Sequence, residues 1–196
     1  MHEVTTLKQL TVQVTLARQS LPATRPLLVA IDGRSGAGKT TLAWQLAEQL
    51  TQEGLPVAVF HLEDLYQGWS GLAQAARTWQ QLAEAVMSGR ASSPDTAPRW
   101  FGWDWARSEP TGPHTFILPD QLSSGVLIAE GVGALTGAHD LGVFVEVPTD
   151  LRKARALARD GETYRPYWDM WAKQEADLLA AYASAYTGAG VRYVQQ

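Results

Sequence analysis

The chain has 196 residues, 45% hydrophobic and 18% charged, a composition that suits one sizeable buried core. Its net charge of -4 argues against non-specific attraction to nucleic acid or to an anionic membrane, and the lack of cysteine excludes disulfides, thiol nucleophiles and cysteine-based zinc sites. No i, i+4 pair occurs among His2, His61, His114 and His139, no stretch approaches the ~20 apolar residues of a membrane span, and residues 1–25 lack a basic start followed by an apolar core, so a cytoplasmic protein is expected.

Residues 3–20 place Val4, Leu7, Leu10, Val14 and Leu16 mostly at helical spacing and predict an amphipathic helix. Pro22 and Pro26 bracket a linker into a first strand over 27–31. A helix follows over 40–52, stopped by Gly54 and Pro56. Residues 57–61 form a short continuous apolar run, the pattern of a strand buried on both faces. Helical spacing returns over 72–88, through Leu72, Ala76, Trp79, Leu82 and Val86. Residues 91–115 are rich in Pro, Gly, Ser and Trp and predict a long loop or short hairpin, a kind of segment that is often functional. Strands are expected over 126–129 and 143–147, a helix over 150–159 with Thr149 or Asp150 as N-cap, a second long helix over 167–186 and a fifth strand over 191–194. Strands alternating with helices imply an α/β fold, a parallel sheet covered on both faces. Ligands in such sheets gather at the carboxyl ends of the strands.

That edge carries the most specific motif. Gly33, Gly38, Lys39 and Thr40 match G-x-x-x-x-G-K-[ST] between a strand and a helix. Gly33, Gly36 and Gly38 let the loop curl so that successive N–H groups point at phosphate oxygens, and the following helix adds its positive N-terminal end. Lys39 can reach the β/γ-phosphates and the Thr40 hydroxyl can ligate Mg²⁺. The expected ATP-binding set is therefore Gly33, Ser35, Gly36, Ala37, Gly38, Lys39, Thr40 and Thr41, with Arg155 farther on.

Three further clusters belong to the same edge. Glu63 and Asp64 follow the second strand, where a carboxylate can accept a proton from an attacking hydroxyl or hold Mg²⁺. A helix cap or solvated acidic turn would look the same. Glu130 ends the third strand, placed to support Mg²⁺, with Gly131 allowing close backbone approach. Arg152, Arg155, Arg159 and Arg165 lie on or after the 150–159 helix; a four-residue step puts Arg155 and Arg159 on one face, where guanidinium groups suit charge on a transferring phosphoryl group. The polar segment 160–166, with Gly161 and Pro166, reads as a lid hinge. Trp100, Phe101, Trp103 and Trp105 form either a satellite core or an aromatic wall for a ring-bearing acceptor, with Asp104 taking hydroxyl hydrogen bonds.

Together these residues resemble the uridine kinase-like group of phosphate-loop kinases, which includes uridine–cytidine kinase, phosphoribulokinase and pantothenate kinase. The resemblance spans roughly residues 26–165. It rests on the phosphate loop itself, on Glu63-Asp64-Leu65-Tyr66 beside the family's Asp-x-x-Tyr, on Glu130-Gly131, on Arg159-Asp160 opening the lid and, more loosely, on Trp103-Asp104. It implies a phosphate-loop three-layer sandwich with a five-stranded parallel sheet and a small lid. It further implies transfer of the ATP γ-phosphoryl to a small hydroxylated acceptor, with Mg²⁺ held by Thr40, Glu63 and Glu130. Lys39, Glu63, Asp64 and Arg159 would act on the reacting groups, and Tyr66, Trp103, Asp104 and Arg165 would bind the acceptor. The family's proton-accepting Asp falls on Glu63, and Ala156 and Ala158 make the lid less basic, two departures that set uridine itself apart.

One domain over 1–196 is expected, with the phosphate loop at 33–40, an acceptor-side insert at about 66–115 and a lid at about 152–170. The rival readings are a nucleoside monophosphate kinase, which would use Arg77, Arg90, Arg99 or Arg107 for the acceptor phosphate, and a nucleotide-dependent switch or ATPase. No N-K-x-D occurs, so adenine is the default base, expected near 187–190.

Overall fold

The computed structural model describes residues 2–194. In chain order its elements are β1 (His2–Val4), α1 (Leu7–Gln19), β2 (Leu27–Asp32), α2 (Lys39–Gln52), β3 (Val57–His61), α3 (Leu72–Met87), β4 (Arg99–Asp104), β5 (Glu109–Thr115), β6 (Val126–Glu130), β7 (Leu141–Glu146), α4 (Thr149–Tyr164), α5 (Trp168–Ala181), α6 (Ala183–Thr187) and β8 (Val191–Val194). Six strands form one sheet in the order β1-β8-β7-β2-β6-β3, every neighbouring pair parallel.

The three layers follow from strand alternation. In β2, Leu27, Val29 and Ile31 face one side, where they pack with Leu10 and Val14 of α1 and Leu42, Leu46 and Leu50 of α2. Leu28 and Ala30 face the other, with Trp79 and Leu82 of α3 and Leu178 of α5. All six β2 residues are buried, so the central strand reads as a continuous apolar run ending in a carboxylate.

The sheet has six strands where five were expected. The sixth comes from the start of the expected 3–20 helix: β1 pairs with β8, Val4 opposite Tyr193, and α1 begins only at Leu7. Thr6 is the N-cap, accepting the Gln9 N–H, and it stops the helix from extending back to Val4. Val4 is 2% exposed against the edge of the sheet, a burial that a helix pattern and a strand pattern serve equally. β3 is the opposite edge strand, and all five of its residues are only partly buried, not enclosed on both faces as its apolar run suggests.

The 91–115 segment contains an antiparallel hairpin, with β4 and β5 paired from Arg99–Thr115 to Asp104–Glu109. It docks on the main body through Phe60, which meets Trp100 and Phe116 edge-on at 5.9 and 5.1 Å. α4 starts at Thr149, but its cap is Pro148, whose φ of -53° already suits the turn; neither Thr149 nor Asp150 serves as cap. The helix runs past residue 159 to Tyr164, interrupted at Gly161 (φ 54°, ψ -132°). The long helix expected over 167–186 is two, α5 and α6, separated at Tyr182 (φ -116°, ψ 32°). Among the described residues, no helix is long and apolar enough to cross a membrane.

Candidate active site

The carboxyl edges of β2, β3 and β6 converge on one cavity of about 360 Å³. The loop after β2 forms its floor. Gly36 (φ +79°) sits against α4 so closely that a Cβ would lie 2.1 Å from the Arg152 carbonyl oxygen, so only glycine fits. Arg152 is 3% exposed and donates to the Ser35 and Val147 carbonyls at 3.0 and 3.2 Å. It is thus a strut beneath the loop and does not reach the cavity. Gly38, in left-handed conformation, leads into α2 and aims that helix's free N–H groups at the same space. Ser35, Gly36, Lys39 and Thr40 line the cavity. Lys39 is 8% exposed and curls over the loop, its Nζ donating to the Arg34 carbonyl at 3.4 Å.

Glu130, at the tip of β6, is buried and accepts the Thr40 hydroxyl at 3.0 Å. The same Oε1 lies 2.6 Å from His61 Nδ1, which parallel pairing of β3 with β6 places directly opposite. A hydroxyl and a hard carboxylate oxygen side by side fit Mg²⁺, which keeps waters and draws its remaining ligands from phosphate. No group of three or more His, Cys, Asp or Glu side chains among the described residues builds an all-protein metal cage. Glu63 reaches the cavity from a short 3-10 turn (Leu62–Leu65) after β3. Asp64 does not line it; its backbone carbonyl lies close to Gly102 of the hairpin, and desolvation raises its carboxyl above the ordinary range despite attraction from His61.

Beneath the loop lies Asp32, 1% exposed. It accepts the N–H groups of Gly33 at 2.6 Å, Gly133 at 3.1 Å and Leu135 at 2.9 Å, so one carboxylate ties the glycine-rich loop to the loop after β6. Burial pushes its pKa up to about 6, opposed by those N–H groups and by Lys39.

Much of the remaining lining is aromatic: Tyr66, Trp69, Trp105, Tyr164 and Trp171. Trp69 stacks on Tyr167 at 4.4 Å and on Tyr164 at 5.5 Å, with Trp105 and Trp171 edge-on at 5.0 and 6.4 Å. Tyr66 is 6% exposed and donates its hydroxyl to the Val132 carbonyl; burial and nearby carboxylates push its pKa well up, so it stays a neutral wall. Arg159 lines the cavity beside Thr163 and forms a two-pronged pair with Asp160 at 2.8 and 2.6 Å.

Several expected site residues lie elsewhere. Trp103 is partly buried beside Gly68, and Asp104 accepts the Ala106 and Arg107 N–H groups in the hairpin turn; neither lines the cavity, whereas Trp105 does. Arg165 pairs with Glu162, and Arg155 lies exposed on α4; neither is among the lining residues. Ala37 is buried in the core under α2, and Thr41 lies on the outer face of α2 in a separate shallow groove with Trp44. Segment 187–190, between α6 and β8, is not part of the cavity lining. Arg77, Arg90, Arg99 and Arg107 also lie outside it. Sequence reasoning missed Asp32, His61, Trp171 and Glu175, whereas Trp105 already stood in the candidate aromatic wall. Only Asp32 carried a usable signal, a carboxylate closing a fully apolar strand.

No family model matches the chain. Among solved structures, it is similar to a candidate fructose transport system kinase from Silicibacter sp. TM1040, at 21% identity and a TM-score of 0.62, covering 97% of this chain and 100% of that one. It is also similar to a candidate uridine kinase from Bacillus stearothermophilus, at 20% identity and a TM-score of 0.56, covering 94% and 99%. The chain therefore shares their α/β fold over nearly its whole length.

Proposed function

We propose that the chain is an ATP- and Mg²⁺-dependent small-molecule kinase, transferring the γ-phosphoryl group to a hydroxyl of a nucleoside-like acceptor. The observation that carries this reading is a single continuous cavity. Its lining combines the phosphate loop with Lys39 and Thr40, the Glu63 carboxylate, and an aromatic chamber of Tyr66, Trp69, Trp105, Tyr164 and Trp171. A phosphoryl donor and a ring-bearing alcohol can share such a space with their reacting oxygens near one carboxylate. Both structural neighbours bear kinase names, which agrees with the reading.

In this reading the loop N–H groups and Lys39 hold the triphosphate, and Lys39 and Arg159 face charge spreading over the transferring group. Glu63 accepts the proton of the acceptor hydroxyl. Thr40 and Glu130 would hold Mg²⁺, with Glu63 in reach to assist, and the ion would neutralise phosphate charge when bound. Trp69, Trp105 and Trp171 offer flat faces and edges to an acceptor ring and exclude water that would otherwise hydrolyse ATP. A monophosphate acceptor is less well served, since among the described residues Lys39 and Arg159 are the basic side chains lining the cavity and this reading assigns both to the triphosphate.

The test is ADP release from ATP·Mg²⁺ with nucleosides, nucleoside monophosphates, pantothenate and simple sugars, each against a no-acceptor control. Stimulation by a nucleoside that disappears in Lys39→Ala supports the reading. Stimulation confined to monophosphates would transfer the assignment to a monophosphate kinase, and slow turnover indifferent to every acceptor would favour a nucleotide-driven switch.

A further inference from the structure

One helix from the far end of the chain shares four hydrogen bonds with Arg34 and Ser35 at the start of the phosphate loop. Glu175 of α5 is 1% exposed and accepts the Ser35 backbone N–H at 2.7 Å and the Arg34 Nε–H at 2.9 Å. The same guanidinium donates to the Ala172 carbonyl at 2.8 Å, and Trp171 donates its indole N–H to Ser35 Oγ at 3.0 Å. Three of these four bonds involve an ionised partner, the stronger kind. A carboxylate buried beside a phosphate site repels the ligand the loop is built to hold. Here it is tolerated because Arg34 and the Ser35 N–H answer it directly.

The same helix also builds the aromatic chamber. Trp171 lines the cavity, packs on Tyr66 at 5.1 Å and meets Trp69 edge-on, and Gln174 donates its side-chain amide to the Trp69 carbonyl at 2.7 Å. One indole thus touches both substrate regions, its ring in the chamber and its N–H on the loop.

We propose that Trp171 and Glu175 are positioning residues that set Arg34 and Ser35 for nucleotide binding, and that Trp171 couples occupancy of the chamber to the phosphate loop. The proposal rests on the nucleotide-binding reading of that loop. A ring that fills the chamber fixes the Trp171 indole, and the indole fixes Ser35. By thermodynamic reciprocity, nucleotide on the loop must then act on the chamber.

The experiment is a double-mutant cycle on affinity for Mg²⁺·AMP-PNP, a non-hydrolysable ATP analogue, measured by calorimetry. Trp171→Phe keeps an aromatic ring in the chamber but removes the N–H along with the indole's five-membered ring; Ser35→Ala removes the acceptor and also the hydroxyl's hydrogen bond to Tyr164. Each is expected to weaken binding by at least about fivefold, the worth of one ordinary hydrogen bond. In the Ser35→Ala background, Trp171→Phe should cost about fivefold less than it does in the parent, because the bond the two side chains share is already cut. Glu175→Gln should weaken binding further, with Trp171→Phe standing as the test should that variant fail to fold. In 5-fluorotryptophan-labelled protein, the Trp171 resonance, identified by its loss in Trp171→Phe, should shift on adding Mg²⁺·AMP-PNP and stay fixed in Ser35→Ala. Affinity unchanged in Trp171→Phe, strictly multiplicative losses, or an unmoved Trp171 resonance in the parent protein would each overturn the proposal. Failure of the parent protein to bind Mg²⁺·AMP-PNP at all would instead defeat the nucleotide reading, and this inference with it.

Discussion

Lys39 and Glu63 are the side chains on which the proposed chemistry concentrates, and each has a nearby control. Lys39→Ala should lower kcat by at least about a hundredfold while leaving the melting temperature nearly unchanged, since its hydrogen bond to the Arg34 carbonyl is a long one. Glu63→Gln should cost on the order of a hundredfold in kcat, and Asp64→Asn no more than about threefold, because only Glu63 reaches the cavity. Equal, mild effects in that pair would remove the base assignment. The tryptophans divide in the same way: Trp105→Ala should raise the acceptor KM about tenfold, whereas Trp103→Ala should cost about 2 kcal/mol of stability with KM unchanged. Asp32 makes a pH prediction whose sign is fixed. Its carboxyl has a pKa of about 6 in the fold, above its ordinary value, so its contribution to stability is greatest at low pH and is lost as pH rises through about 6. From pH 4.5 to 7.5, urea-unfolding free energies should move in favour of Asp32→Asn over the parent by about 2 kcal/mol.

At the scale of elements, the site depends on two breaks in regular structure. The turn at Gly36 brings the loop against α4, and Gly36→Ala puts a methyl 2.1 Å from the Arg152 carbonyl oxygen. It should abolish nucleotide binding even if the sheet still forms. The break at Gly161 turns α4 toward Tyr164 and Tyr167, which stack on Trp69. Space around Gly161 is open, so Gly161→Ala should fold, at a cost of about 1–3 kcal/mol from its backbone angles alone, seen as a lower midpoint of chemical unfolding. The loop itself was legible because it is local: consecutive residues, a glycine pattern and a strand on one side suffice. The hairpin was only half legible. Pro110 and Pro113 sit in β5 and argue against a strand, and the pair is stabilised through Phe60, a residue some forty positions earlier.

At the scale of the molecule, the cavity sits where β2, β3 and β6 end, and the β1–β8 edge lies on the far side of the sheet from β3. Stability and chemistry should therefore separate across the fold. Val4→Asp buries a charge at the β1–β8 edge and should cost about 3 kcal/mol, with kcat and KM unchanged below the lowered melting temperature. A matching loss of activity would show that the edge strand reaches the site. Arg25 and Asp140 close the amino ends of the central strands with two bonds of 2.7 and 2.8 Å, well away from the cavity lining, and belong to the same structural half.

The chain's own sequence determined the α/β alternation, the phosphate loop and the carboxylates at the ends of two neighbouring strands. Those features are written in short windows, where backbone sterics and side-chain period act directly. Only the tertiary structure decided that β1 adds a sixth strand, that Trp105 and not Trp103 faces the cavity, and that Asp32, His61, Trp171 and Glu175 complete the site. His61 meets Glu130 through strand register, and Glu175 meets Ser35 across 140 positions of chain. Contacts of that kind arise from how buried faces close on one another, and no local pattern of residue types encodes which distant partner each polar side chain will find.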